Sequence, residues 1–114
     1  MSNPLNWGST SGQFADISAA STVWLNAPEA GYVRGVIITL VNAITVADSI
    51  VTLKIDNVAV SGSLTIAFTG SAKGTVFNWT GIYAPVKKGS LIEVISDGAS
   101  STTSIAPVTV ILSA

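Results

Sequence analysis

The side chains able to do chemistry are few. Six carboxylates (Asp16, Glu29, Asp48, Asp56, Glu93 and Asp97) stand against five cations (Arg34, Lys54, Lys73, Lys87 and Lys88), and there is neither His nor Cys. Without thiolate or imidazole, several classes fall away: disulfide scaffolds, Cys- or His-ligated metal sites, cysteine proteases and Ser-His-Asp hydrolases. Glycoside hydrolysis needs two carboxylates opposed across a cleft, and no spacing among the six suggests such a pair. Asp48, Asp56 and Asp97 each stand at the end of an apolar run beside Ser, Asn or Gly. Asx side chains bond the local backbone at such places, so turn formation accounts for them. Calcium takes carboxylate and carbonyl oxygens, but no dense acidic loop gathers these three residues. Residues 70–75, Gly-Ser-Ala-Lys-Gly-Thr, lack the spacing and following helix of a phosphate-binding loop. Asn78-Trp79-Thr80 matches a glycosylation sequon, which is incidental without a secretory signal. The expectation is a protein that is not an enzyme and holds no metal and no cofactor.

Aromatic side chains are the stronger candidates for contact with a ligand or partner. Trp79 shares a strand face with Phe77 and reads as core. Trp7 lies in a Ser-, Asn- and Gly-rich stretch with only Pro4 and Leu5 for apolar company, so it needs a surface to cover it. Trp24, Tyr32 and Tyr83 sit at or near strand starts and could stack on a flat ligand. The partner-binding candidates are therefore Leu5, Trp7, Trp24, Tyr32 and Tyr83.

The elements that must position them are strands. Val, Ile and Thr number 13, 12 and 12 of 114 residues, and β-branched residues favour the pleated conformation. Apolar runs are short and are separated by Gly, Pro, Asn, Asp and Ser clusters, the spacing of a sandwich or barrel. Residues 1–12 read as an N-terminal arm and residues 13–114 as one all-β antiparallel β-sandwich of eight to ten short strands, with essentially no helix. Residues 32–42 form the strongest strand. Simple alternation puts Val33, Gly35, Ile37, Thr39 and Val41 on one face and Tyr32, Arg34, Val36, Ile38 and Leu40 on the other. In residues 50–55, Val51, Leu53 and Ile55 face the core, and Asp56-Asn57 turns the chain back into Val58.

Charge and patterning bear on partners. Charged residues are 10% of the chain, against about 25% in an ordinary domain. With 5 basic and 6 acidic residues there is no surplus to neutralise phosphates, so no nucleic-acid partner is expected. The longest uncharged runs, residues 57–72 and 98–114, are broken by Ser, Thr, Gly or Pro, so no membrane span is expected. Residues 1–10 lack the basic and apolar regions of a signal peptide, which together with the missing Cys suggests assembly in a reducing cytoplasm. Several strands, such as Val36-Ile37-Ile38 and Val110-Ile111-Leu112, are apolar on both faces. Second faces of that kind meet loops or another subunit, and the surface left over must be built largely of the 15 Ser and 12 Thr.

Three stretches carry a likeness: Gly31-Tyr32-Val33-Arg34-Gly35-Val36-Ile37-Ile38, residues 48–57 (Asp-Ser-Ile-Val-Thr-Leu-Lys-Ile-Asp-Asn), and residues 83–94 (Tyr-Ala-Pro-Val-Lys-Lys-Gly-Ser-Leu-Ile-Glu-Val). Over residues 31–96 the chain resembles the small all-β decoration, or cement, proteins of tailed-bacteriophage heads. The last stretch is similar to the strand–turn–strand of jelly-roll virion proteins. The resemblance implies a jelly-roll-like sandwich and a structural protein of the virion, bound to the capsid surface after assembly in the host cytoplasm. Its partners would be the major capsid protein and further copies of itself, as a trimer or dimer. The alternative is a phage fibre or carbohydrate-binding β-sandwich module using Trp24, Tyr32 or Tyr83.

Overall fold

The computed structural model describes residues 7–114, and none of these is helical. Ten strands follow one another: β1 (Trp7–Phe14), β2 (Ser21–Asn26), β3 (Gly31–Thr39), β4 (Ser49–Ile55), β5 (Val58–Ala59), β6 (Leu64–Ile66), β7 (Val76–Trp79), β8 (Ala84–Val86), β9 (Leu91–Ser96) and β10 (Ala106–Ser113). Their pairing is nested. β1 pairs with β10, β2 with β9, β3 with β7 and β8, and β4 with β5 and β6, all antiparallel. The chain is a long hairpin folded over on itself, and the β10–β3 and β9–β4 pairs complete two five-stranded sheets. The first sheet runs β1-β10-β3-β7 with β8 also on β3. The second runs β2-β9-β4-β5 with β6 also on β4.

Register fixes which side chains meet. In the first sheet, Thr10, Val110, Val36 and Trp79 lie in one cross-strand row, and Gly12, Val108, Ile38 and Phe77 in another. Both rows face inward. The row between them, Ser11, Thr109, Ile37 and Asn78, faces out. In the second sheet the inward rows are Val23-Val94-Leu53 and Leu25-Ile92-Ile55. The core between the sheets is mainly aliphatic, with Phe14 and Trp79 its buried aromatics. Burial of each such side chain stabilises the fold by about 1.5–3 kcal/mol.

Three features differ from the sequence reading. First, the boundary drawn between arm and sandwich at residue 12 falls inside β1, since residues 7–12 pair with β10. An edge strand is held by backbone hydrogen bonds and needs no large side chains. Gly12 is small for a reason: a Cβ there would sit 3.0 Å from Val23 Cγ1 and 3.2 Å from Leu25 Cδ2, where β1 crosses β2. Second, simple alternation fails along β3. Ile111 pairs with Gly35 but Leu112 pairs with Val33, so Arg34 is an extra, bulged residue. Such a bulge reverses the facing of everything beyond it. Val33 therefore points inward together with Val36, Ile38 and Leu40, all fully buried. Third, serine is not only a surface residue here: Ser49, Ser90, Ser96, Ser100, Ser104 and Ser113 are buried.

Most of those serines close the ends of the sandwich. At one end, residues 15–20 cap the core with the fully buried Ile17. Its N–H donates to the Ser104 carbonyl at 2.9 Å, and its own carbonyl accepts from the Ser96 hydroxyl at 2.8 Å. Ser49 and Ser100 hydroxyls bond each other alongside at 2.6 Å. The Asp16 carboxylate accepts from the Ser18 hydroxyl (2.6 Å), the Ser18 N–H (3.0 Å) and the Ser104 N–H (3.2 Å). At the other end Asp56 accepts from the Leu91 N–H and the Ser90 hydroxyl, each at 2.9 Å. Asp56 and Asn57 both have positive φ, 50° and 68°, which is the two-residue type I′ turn that joins twisted strands. Asp97 and Asp48 work the same way, accepting from the N–H groups of Ile50 and Phe68 at 2.9 and 3.0 Å.

These bonds lower two carboxylate pKa values. The Ser18 hydroxyl chiefly holds Asp16 below its ordinary 3.8, helped by the backbone N–H groups of Ser18 and Ser104. The Leu91 N–H chiefly does so for Asp56, with Ser90 and the Lys87 charge adding to it. A carboxylate depressed in the folded state adds stability that is complete above its unfolded pKa and is lost as pH falls through the folded value. Thermal melts should accordingly show no loss from these groups between pH 7 and about 5, then a drop below about 4. Asp16→Asn should shrink that acid drop, and an unchanged acid limb would remove Asp16 from the account. The loop pair at this end is also sterically tight. Gly98 has φ +68°, and a Cβ on it would meet the backbone nitrogen of Ala20. Gly98→Ala should lower the melting temperature by roughly 10 °C, from overpacking and strain together.

Candidate functional site

The β3 bulge and the β7–β8 connection bring two of the predicted residues together. Tyr32 on β3 and Tyr83 just before β8 stack with ring centroids 4.2 Å apart and planes 11° from parallel. The Arg34 guanidinium carbon lies 5.0 Å from the Tyr83 ring centroid, within cation–π range. Pro85 sits across from Tyr32 in the β3–β8 ladder. Tyr83 is nonetheless 64% exposed. The adjacent Tyr32 phenol, mainly through hydrogen bonding, pushes the Tyr83 hydroxyl above its usual pKa. Tyr83 therefore stays protonated and neutral at physiological pH. The chemistry of the cluster is contact chemistry: flat apolar faces, phenol hydrogen bonds and one positive charge.

Beside Tyr83 runs a groove of about 670 Å³ along the open side of the sandwich, between the edges of β5 and β8. Val58, Val60, Ile82 and Pro85 make it apolar, with Asp56 at its margin. Both Asp56 oxygens are already engaged by Leu91 and Ser90. A smaller hollow of about 310 Å³ opens on the other side of Arg34, floored by Gly35 and Ile37 and walled by Asn78, Thr80 and Ile111.

The remaining predicted residues do not join this cluster. Trp24 lies on β2 in the second sheet, 63% exposed on its outer face. Trp79 is buried in the core beside the inward row of β3, as its pairing with Phe77's face implied. Leu5 lies outside the described residues, and of Trp7 only the backbone is described, opposite Ser113 at the start of β1. Among the described residues no three of His, Cys, Asp and Glu stand close enough together to hold a metal ion.

Two features escaped sequence reasoning. One is Arg34, which the bulge places against Tyr83. Alternation carries no sign of a bulge, though an Arg-Gly pair inside an apolar strand is a usable hint, because Gly tolerates the local backbone change. The other is Glu93. It is only 7% exposed, and its Oε1 is buried with no hydrogen-bond partner. A carboxylate set in the middle of Leu91-Ile92-Glu93-Val94-Ile95 was the signal.

The two sheets present unlike outer faces. On the first, Ser9, Ser11 and Gln13 of β1, Pro107, Thr109 and Ile111 of β10, Ile37 and Thr39 of β3, and Val76 and Asn78 of β7 carry no ionisable group. On the second, Trp24, Glu93, Lys54 and Ala59 form one continuous row across four strands. No family model matches the chain, and a search of curated proteins finds no match.

Proposed function

We propose that this chain is a structural protein of a tailed-phage virion that binds and stabilises the assembled capsid, built as a jelly roll. The nested pairing supports the fold half of this reading, because a jelly roll is a long antiparallel hairpin wound into two sheets. The observation that carries the functional half is the outer face of the first sheet, whose outward rows from Ser9 to Gln13 hold no charged residue and whose one charge, Arg34, stands at the bulge against Tyr83. Three strands of eight or nine residues and the four-residue β7, about 4.8 Å apart, give a face of roughly 450 Å². A free surface of that size ordinarily carries charges for hydration and solubility. A surface covered in the working state needs none, and any ion it held would be costly to desolvate. Ser, Thr and Gln side chains between Ile37 and Ile111 suit a contact with protein, where hydroxyls and amides find partners at little desolvation cost. The partners proposed are the major capsid protein and neighbouring copies of the chain, in a trimer or dimer on the capsid surface.

Purified protein should sediment as an oligomer and co-sediment with heads assembled from the cognate major capsid protein. Ile37→Asp and Thr109→Asp place a charge at the centre of the outward row. Each should abolish co-sedimentation or dissociate the oligomer while shifting the melting temperature of the free domain by only a few degrees, since both positions are only partly buried. A wild-type chain that stays monomeric at micromolar concentration and leaves heads unbound would overturn the reading.

A further inference from the structure

We propose that the outer face of the second sheet is a saccharide-binding platform centred on Trp24 and Glu93. This stands apart from the capsid reading, because it uses the sheet that faces away from the charge-free surface.

Three observations carry it. The first is Trp24 itself, 63% exposed although it sits in the middle of β2 rather than on a loop. Its row lies between the outward rows that hold Thr22 and Asn26. The second is Glu93, its direct cross-strand neighbour. Glu93 is more than nine-tenths buried, yet its Oε1 accepts no hydrogen bond. Buried acceptors are nearly always satisfied, and leaving one unpaired is unfavourable. The third is Lys54, the neighbour of Glu93 on the other side. It brings a cation to the carboxylate's flank, so what this row lacks is a neutral donor.

A pyranose ring matches that arrangement. Its axial C–H groups form an apolar, slightly positive face suited to the electron-rich face of an indole. Its equatorial hydroxyls radiate from the rim, where one can donate to the Glu93 carboxylate and another accept from Lys54 Nζ. Thr22 and Thr52, in the next outward row with Ile95, offer further hydroxyls for a second sugar unit. A cationic peptide side chain suits the site less, because Lys54 already occupies the carboxylate's other flank. Phosphorylated ligands are disfavoured by Glu93. The platform is open, so single sugars should bind weakly, and repeated copies on one assembly should strengthen binding to a polymeric glycan.

The test uses the full chain, isotopically labelled, titrated with oligosaccharides of glucose, N-acetylglucosamine and galactose at millimolar concentration. At least one should give saturable shifts of the Trp24 indole N–H together with the amides of Glu93 and Lys54. Trp24→Ala should weaken that binding at least roughly tenfold, Trp24→Phe should largely preserve it, and Glu93→Gln should weaken it severalfold. Both positions lie on one outward row, and unchanged melting curves will show that the variants fold. Absence of saturable shifts with every oligosaccharide overturns the proposal. So does binding that survives Trp24→Ala, including binding that is lost instead in Tyr83→Ala.

Discussion

A single inserted residue in the β3–β10 ladder governs most of what the first sheet does. This pair is the centre of its sheet, and its register shifts by one at Arg34. Before the bulge Val33 points inward. After it Val36 and Ile38 do. Without the insertion, an alternating strand that buried Val33 would turn Val36 and Ile38 out to solvent and Ile37 in. The bulge thus makes a core from a sequence that is apolar at nearly every position, and it leaves Ile37 as the outward member of the charge-free row. It also sets Arg34 beside the Tyr32–Tyr83 stack. Core, outer face and aromatic cluster share one cause.

A sandwich without helices must close its two ends with loops, and loops bring buried backbone groups that need partners. This chain has few charges to spend on that. It uses short hydroxyl side chains and single carboxylates instead. Ile17 fills the apolar opening at one end while its N–H and carbonyl are both satisfied, by Ser104 and Ser96. Asp16 gathers three donors there, and Asp56 two at the opposite end. A serine is small enough to be buried without displacing the aliphatic core, and its one hydroxyl can turn to whichever backbone group is unpaired. That explains a composition rich in Ser and poor in charge better than surface hydrophilicity alone.

How far this was legible in the sequence follows from which interactions are local. The β4–β5 hairpin was readable because Asp56-Asn57 and the alternating Val51, Leu53 and Ile55 lie within a few residues. Nearly every strand was found for the same reason. The exception is β1, whose Trp-Gly-Ser-Thr-Ser-Gly looks like a linker and whose last residue, Phe14, reads as the start of a strand over residues 14–17, where residues 15–17 in fact belong to the turn that caps the core. The strand character of β1 comes from β10, about a hundred residues away in the chain. The bulge at Arg34 was invisible because it belongs to a pairing and not to a strand. Asp48, Asp56 and Asp97 were rightly assigned to backbone bonding, but their principal partners are across the sheet and not in their own turns. The Tyr32–Tyr83 contact joins residues from two elements that no spacing rule connects. Both were named as candidates, but not as a pair.

The contrast between the two outer faces is the last consequence of the nested hairpin. Residues distant in sequence are laid side by side in each row, so a single polar residue per strand can become a row of polar residues. In the second sheet one such row assembles Trp24, Glu93 and Lys54. In the first, the outward row receives only Ser11, Thr109, Ile37 and Asn78. A chain with eleven charged residues cannot cover both faces with ions, and their placement is selective. Lys54 and Glu93 stand mid-strand on one sheet, while the other keeps Arg34 at its bulge and no charged residue in its rows. Sheets whose faces differ this much have a direction: one side carries the face proposed to be covered by protein, and the other the exposed indole proposed to meet a ligand.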